Sequence, residues 1–178
     1  YREEVEFPFF EQHLRGAAEA GLAEATVFDT GTLEWKRHEH WPPRATELRP
    51  LFAREGFTLA FEPPREAGGD SWVSDPARPV PFTSEIAIGM TREYMSEDQR
   101  FAARRPDVLT YLTEPLTADL TLAGPLQAEL WVKTTGTDAD FVVKLIDVQP
   151  GDTPDWDGLA DGQHAGDALL MVRSEAIR

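Results

Sequence analysis

The chain has 178 residues, 41% of them hydrophobic, and its 32 acidic and 17 basic side chains give a formal charge of −15 at pH 7. This negative surplus disfavours nucleic acid and anionic membranes as partners, because the long-range field of the protein repels phosphate. The absence of cysteine excludes disulfides, thiolate chemistry and zinc–sulfur sites, and no apolar run is long enough for a transmembrane helix.

The first third of the chain predicts one helix, two strands and a hairpin. A helix from about residue 9 to 13 or 14 is indicated by apolar residues interspersed with charged ones, with Pro8 suited to the first turn. A strand is predicted at 25–30, and a weaker alternation follows at 33–40 after a turn at Gly31-Thr32; a hairpin is predicted from 47–52 and 58–61 around the Glu55-Gly56 turn. The stretch FPFFEQHL at 7–14 is very apolar for an exposed helix, so we expect it to pack on a neighbour, which need not lie in this chain.

The middle of the chain is predicted to be irregular. Five prolines and the Gly68-Gly69 pair lie in 63–82, which is typical of a linker or of an arm that wraps a surface. Residues 83–104 are mixed and polar, and one short helix is expected near 97–103.

The second half predicts an all-β layer, because short runs of alternating and β-branched residues are separated by turn signals such as Gly124-Pro125. The predicted strands are 108–112, 118–122, 126–133, 141–148 and 168–177, with an acidic, Gly- and Pro-rich loop at 149–167. A complete all-β domain of this kind has about seven or eight strands. We therefore expect an incomplete β-sandwich, in a chain cut at both ends.

Three stretches carry a resemblance to a known family. They are FPFFEQHLRG at 7–16, WVSDPARPVPF at 72–82, and the region that runs from YMSEDQRFAARRPDVLTYLTEPL at 94–116 to AGPLQAELWVKTTGTDADFVVKLIDVQP at 123–150. Together they resemble the C-terminal part of the X-Pro dipeptidyl-peptidase and cocaine-esterase-like serine hydrolases. Within that group the sequence is most similar to the α-amino-acid ester hydrolases and glutaryl-cephalosporin acylases.

The resemblance implies a mainly β chain. It would hold an incomplete C-terminal jelly-roll, galactose-binding-like β-sandwich, preceded by a helix and strands from the end of an α/β-hydrolase domain. The implied boundaries are 1–62 for the end of the hydrolase domain, 63–90 for a Pro-rich crossing arm and 91–178 for the truncated sandwich.

The resemblance also implies a mechanism that lies outside this sequence. Enzymes of the family hydrolyse esters or amides, or transfer acyl groups, with a Ser–Asp–His triad. The sequence contains neither the nucleophile motif G-x-S-Y-x-G nor the Gly-Pro-Trp motif that the histidine follows. We therefore expect the chain to begin downstream of the triad, to contribute no catalytic, cofactor-binding or metal-binding residue, and to be inactive alone.

The implied role is structural: the segment would pack on the catalytic domain and wall its pocket. The implied partners are the upstream α/β-hydrolase domain, or a separate chain that carries it, and a small-molecule ester or amide substrate. A homo-oligomer and a secreted or periplasmic location are further expectations.

The main alternative is a stand-alone jelly roll that binds carbohydrate or another ligand. Its platform would be built from the five tryptophans, Trp35, Trp41, Trp72, Trp131 and Trp156. No two of them fall at i, i+2 of one strand, which disfavours this alternative.

A triad within this chain is disfavoured because no candidate serine lies in G-x-S-x-G. The candidates are Ser71, Ser74, Ser84, Ser96 and Ser174, with His13, His38, His40 and His164. His38 and His40 would also suit a metal pair on one strand face, but no third ligand is spaced to join them.

Two further groups of charged residues call for an explanation. The loop carboxylates Asp152, Asp155, Asp157, Asp161 and Asp167 would suit calcium, since DWDG at 155–158 resembles half of an EF-hand loop. The closing Glu and flanking helices are missing, so a solvated loop is favoured, and Asp138 and Asp140 are read as turn residues. Lys144 and Asp147 interrupt an apolar strand, which predicts a buried or interfacial ion pair with Arg100, Arg104 or Arg105 as candidate partners.

Overall fold

The computed structural model describes residues 1–89, 91, 93–159 and 162–177, and of Glu93 the backbone alone. The chain forms two compact units, the first made of Tyr1–Arg49 with Leu116–Gln127 and the second of Pro50–Pro115 with Ala128–Arg178. Three two-stranded antiparallel sheets and two α-helices make up the regular structure of the described residues. The mainly β fold class is thus confirmed.

The first unit begins with a helix. A π-helical turn, Arg2–Glu6, runs into α1, Phe7–Arg15, which confirms the predicted helix and begins two residues earlier. Pro8 lies in the first turn, where its missing N–H leaves no hydrogen bond unmade. Gly16 ends the helix in the left-handed conformation, with φ 67°, which a residue without a Cβ adopts at low cost.

The first unit continues with a hairpin, β1 (Ala25–Asp29) and β2 (Glu34–His38), which confirms the two predicted strands and shows that they pair. The two strands are antiparallel, with Phe28 opposite Trp35. The Asp29 carboxylate shapes the turn by accepting bonds from the backbone N–H groups of Gly31 at 2.9 Å and Thr32 at 3.0 Å. These bonds and the Lys36 ammonium lower the pKa of Asp29 to about 2, the Lys36 bond being the largest cause.

The second unit opens with a smaller hairpin, β3 (Phe52–Arg54) and β4 (Thr58–Ala60), which confirms the predicted pair although both strands are shorter than expected. Leu112 adds one bridge to β4, through Leu59 N to Leu112 O at 2.8 Å and Leu112 N to Phe57 O at 3.0 Å.

Residues 63–82 contain no helix or strand, as predicted, yet side chains tie them to the second unit. The Tyr111 hydroxyl donates to Asp70 at 2.7 Å, the rings of Trp72 and Phe141 meet edge-to-face at 6.1 Å, and Arg105 donates to the Arg78 carbonyl at 3.2 Å. The arm is therefore attached at three points.

The largest sheet pairs β5 (Phe141–Val148) with β6 (Leu169–Ile177), two strands that the sequence predicted. Helix α2 (Arg100–Ala103) lies within the predicted short helix and follows a 3-10 turn, Glu93–Met95. Every described residue that is fully buried belongs to this second unit: Thr83, Gln99, Ala102, Ala165 and Ala168.

Two predicted strands were wrong, and a third is reduced to one bridge. Residues 118–122 and 126–133 form no β-ladder within the described ranges, and 108–112 contributes the Leu112 bridge alone. The physical reason is that alternation defines two faces but supplies no hydrogen-bonded neighbour, and a strand needs one. Trp131, in the middle of 126–133, is accordingly 93% exposed.

Neither α-helix in the described part of the chain has the length and apolar character that crossing a bilayer requires.

Candidate docking surface and polar anchor

The first unit presents large aromatic side chains to solvent from both its helix and its hairpin. We call these residues the aromatic set: Phe7, Phe9 and Phe10 of α1, and Phe28 and Trp35 of the β1–β2 hairpin. Their exposed fractions run from 45% for Phe9 and Phe28 to 64% for Trp35. Exposed aromatic side chains that lie together are candidates for contact with another protein.

Ring contacts hold the aromatic set in position. Phe9 meets Phe10 edge-to-face at 5.4 Å between ring centroids and packs on His13 at 4.5 Å. Phe28 and Trp35 meet across the hairpin at 5.4 Å. Covering the remaining half of each ring would contribute on the order of 2 kcal/mol of apolar burial per side chain. Each of the two groups of rings, on α1 and on the hairpin, is thus held in place with about half of its surface uncovered.

Strand β1 points to the same conclusion. It carries apolar side chains on both faces, Val27 on one and Phe28 on the other, a pattern typical of strands that are covered on both sides. Among the described residues β2 is its one hydrogen-bonded neighbour. The other edge of β1 is thus open to a further strand.

The second unit contains the best-connected polar group of the chain, Asp98, Gln99 and Arg100, which we call the polar anchor. Gln99 is 1% exposed. Its Oε1 accepts from Lys144 Nζ at 2.6 Å, its Nε2 donates to the Glu97 carbonyl at 2.7 Å, and its backbone N–H donates to Leu169 O at 2.9 Å. One buried glutamine therefore joins the start of α2 to β5 through its side chain and to β6 through its backbone.

Asp98 and Arg100 complete the anchor on either side of Gln99. The Asp98 carboxylate accepts from the backbone N–H of Leu169 at 3.1 Å and from Arg100 Nε at 2.6 Å. Arg100 also donates to the carbonyls of Gly166 at 3.0 Å and His164 at 2.6 Å, and so fastens the end of the acidic loop. Partial burial alone would raise the pKa of Asp98, but the bonds from Arg100 and Leu169 outweigh it and hold the pKa below its ordinary value.

The ion pair predicted for Lys144 and Asp147 was wrong. Lys144 bonds the neutral Gln99 amide, Asp147 accepts from Gln149, and no described contact joins either of them to Arg100, Arg104 or Arg105. Alternation places residues three apart on opposite faces of β5, so the two charges cannot share a partner. Desolvation lowers the pKa of Lys144, and the Glu97 carboxylate partly opposes that shift.

The structure does not assemble a triad from the candidate residues. The described partners of the four histidines are Phe9 for His13, Trp41 for His38, Glu24 and Arg44 for His40, and Asp155 for His164. No serine is among these partners, and the Ser84 hydroxyl bonds Glu97. The absence of catalytic residues from this chain stays a prediction.

The candidate metal sites are not brought together either. Across the described ranges, no group of three or more His, Asp or Glu side chains is placed to hold a metal. Asp155 instead closes the acidic loop, with Oδ1 accepting from Ala165 N at 2.8 Å and Oδ2 lying 3.2 Å from His164 Nδ1. The Ala165 bond, with the His164 bond second, lowers the pKa of Asp155. Asp161 lies outside the described residues.

The tryptophans do not form a platform. Trp35 pairs with Phe28, Trp41 with His38 and Trp72 with Phe141, and within the described chain no two tryptophan rings are in contact. This arrangement gives the carbohydrate-binding alternative no support.

Comparison with known proteins decides the family. Residues 17–173 match the family model described as the X-Pro dipeptidyl-peptidase C-terminal non-catalytic domain. The chain belongs to this family. The resemblance read from the sequence is thereby confirmed. The polar anchor lies inside the matched residues, whereas α1 precedes them.

Relatives of this family member are longer proteins. It is 33% identical over 153 residues to the cocaine esterase of Rhodococcus sp. (strain MB1 Bresler), an alignment that covers 80% of this chain and 27% of that protein. It resembles an aminopeptidase from the marine sediment archaeon Thaumarchaeota archaeon, with a TM-score of 0.78 and 33% identity over 99% of this chain and 29% of the other. For an α-amino acid ester hydrolase labelled with selenomethionine the TM-score is 0.77 and the identity 38%, over 99% of this chain and 30% of the other. The chain thus spans less than a third of the length of these relatives.

Proposed function

We propose that this chain is the non-catalytic C-terminal part of a longer serine hydrolase, called the parent below, and that its first unit docks on the catalytic domain of the parent. The observation that carries the proposal is the exposed aromatic set in a member of a non-catalytic domain family. Relatives named as an esterase, an aminopeptidase and an ester hydrolase support hydrolysis of ester or amide bonds by the parent.

The proposed division of labour assigns the reaction to the catalytic domain and water exclusion to this chain. In an α/β-hydrolase, a serine attacks the carbonyl carbon, a histidine takes its proton, and an aspartate orients the histidine. Aromatic side chains packed against that domain keep solvent away from its pocket and fix one of its walls, which strengthens the electrostatic interactions inside. The predicted boundaries make 1–62 the end of the hydrolase domain, so docking of the first unit would complete that domain's own layers. Residues 63–90 stay the predicted arm, and 91–178 the predicted sandwich.

Activity is tested with a chromogenic ester and a serine-directed phosphonylating reagent. We expect the 178-residue chain to show no turnover, and the parent to show turnover that the reagent abolishes. Turnover by the chain alone would overturn the assignment of a non-catalytic role. Co-purification of a separate catalytic chain would place the triad on a partner and leave the docking proposal intact.

Docking is tested in the parent with Phe9→Ser and Phe28→Ser. Each substitution should lower the free energy of unfolding by about 2 kcal/mol, because it removes apolar area that the catalytic domain would cover. Leu48→Ser is the matched control, since Leu48 lies outside the aromatic set and is 87% exposed. Equal effects of all three substitutions would contradict docking through the set.

A further inference from the structure

The turn after β2 forms an open pocket in the first unit that the docking proposal does not use. Its volume is about 430 Å³, and its lining residues are Arg37, His38, Glu39, His40, Pro43 and Arg44. Four of these six side chains are arginine or histidine, although the chain as a whole carries a formal charge of −15. Two arginines that line one pocket of so acidic a protein indicate a site for an anion.

The pocket wall is held in place from behind by Glu24. One oxygen of this carboxylate accepts from the backbone N–H of Trp41 at 3.2 Å, and the other lies 3.5 Å from Nδ1 of His40. The opposite ring nitrogen of His40, Nε2, bonds the guanidinium of Arg44. His40 therefore links Glu24 to Arg44 along the pocket wall.

A second contact fixes the backbone of the turn. Gly124 approaches Pro42 so closely that a Cβ at that position would lie 2.7 Å from the proline Cγ. Gly124 also has φ 100°, which side-chain-bearing residues rarely adopt. The segment 116–127 thus packs directly on the turn, and a pocket built on a supported backbone loses less entropy when it binds.

The charged side chains of the pocket determine which kind of anion it would bind. Arg37 has no hydrogen-bond or ion-pair partner among the described residues, and Arg44 has donors beyond the one that faces His40. Two guanidinium groups suit a planar carboxylate, which accepts paired N–H bonds. Glu39 in the lining reduces the positive charge that the two arginines supply, so a monoanion is favoured over a phosphate dianion.

We infer that this pocket binds a small free carboxylic acid in its carboxylate form, with Arg37 and Arg44 as donors. This inference is independent of the docking proposal, and neither depends on the other. The affinity is weak, with a Kd on the order of 1 mM, because Glu39 repels the ligand and the pocket is open to water.

The test is a titration of the full chain with sodium acetate, followed by NMR chemical shifts, with sodium chloride at equal ionic strength as the reference. Acetate should give saturable shifts at residues 37–44. Arg37→Ala and Arg44→Ala should each weaken binding about tenfold, and Glu39→Gln should tighten it several-fold, because charge-assisted bonds are lost or repulsion is removed. Arg15→Ala is the matched control, because Arg15 is an exposed arginine on α1 of the same unit that pairs with Glu11.

Three results would overturn the inference. They are equal binding of chloride and acetate, equal loss of binding in Arg15→Ala and Arg44→Ala, and no gain in Glu39→Gln. Saturable binding to the chain that is absent from the parent would assign the pocket to a carboxylate side chain of the parent, and would contradict the free-acid assignment. The arginines are exposed, so their loss leaves the fold intact for the measurement.

Discussion

The two units of this chain differ in where their side chains find contacts. In the second unit, a buried amide, a carboxylate and a guanidinium at 98–100 bond groups on β5, β6 and the acidic loop. In the first unit, no described residue is fully buried, and the aromatic set faces solvent together with Tyr1 and Trp41. The second unit also leaves large apolar side chains exposed, such as Ile86, Ile88 and Trp131, so the two units differ in their buried polar groups and not in their exposed apolar area. Under the docking proposal, another protein layer covers the rings of the first unit.

This difference predicts which substitutions change the stability of the chain and which change its docking on the parent. Polar groups removed from water are costly unless every donor and acceptor is paired, so a buried polar group selects one arrangement of its neighbours. Exposed aromatic rings do not favour one arrangement of their neighbours until a partner covers them. Substitutions in the polar anchor should therefore act on the chain alone, and substitutions in the aromatic set should act in the parent.

The largest effect is expected from Gln99→Leu. The substitution keeps the volume but removes the acceptor of Lys144 and the donor to Glu97, so the free energy of unfolding should fall by about 2 to 3 kcal/mol. Chemical denaturation of the chain measures the change, with the exposed Gln127→Leu as the control. Adding Lys144→Met should recover part of the loss, because both polar partners are then replaced. A double variant no more stable than Gln99→Leu would contradict the assigned pairing.

The next effect is that of Asp98→Asn, and it should depend on pH. The pKa of Asp98 is lowered in the folded chain, so its contribution is present above the unfolded pKa of about 3.9 and is lost as pH falls through the folded value. The variant should be less stable than the wild type at pH 7, and the difference should shrink below pH 4. A difference that stays constant with pH would show that the carboxylate charge is not involved. The exposed Asp119→Asn serves as the control.

A smaller and more local effect is expected from Arg100→Lys. A single ammonium cannot reproduce the planar fork that bonds Asp98, Gly166 and His164, so the end of the acidic loop should loosen by about 1 kcal/mol. Limited proteolysis should cleave within 149–167 several times faster than in the wild type. Arg173→Lys alters an exposed arginine of β6 and should leave the rate unchanged. Equal cleavage rates in the two variants would contradict the role of Arg100 in fastening the loop.

The smallest effect is expected from Phe10→Ser in the chain alone. Phe10 is 47% exposed and has no fully buried neighbour in its unit, so the free energy of unfolding should change by less than about 1 kcal/mol. Thermal unfolding of the isolated chain measures it, and binding of a hydrophobic dye should decrease at the same time. A loss as large as that of Gln99→Leu would mean that Phe10 belongs to an internal core, which contradicts the comparison between the two units.

The sequence revealed the elements that local pattern determines. Helix α1 has its proline at the start and its glycine at the end, and β1, β2, β5 and β6 carry apolar alternation bounded by turns, so each was placed within a few residues. The prediction of a strand at 126–133 was wrong although the alternation is present, because no described segment pairs with these residues. Pairing is a property of two segments, and a single segment does not contain it.

The polar anchor was missed for a different physical reason. The segment SEDQR at 96–100 has the composition of a solvated polar run. The sequence alone does not distinguish a buried glutamine from an exposed one. The half-buried Lys144 was correctly seen to need a partner, but a charged one was expected. A neutral amide meets the same need, because desolvation costs less when the acceptor carries no charge. The family resemblance, by contrast, rested on long motifs and was confirmed.

Hydrogen exchange on the chain alone and on the parent tests the central claim most directly. If the first unit docks on a catalytic domain, the amides of α1 and β1 should exchange about tenfold more slowly, or slower still, in the parent, whereas the amides of β5 should exchange at similar rates in both. Equal exchange of α1 and β1 in the two proteins would contradict docking through the aromatic set.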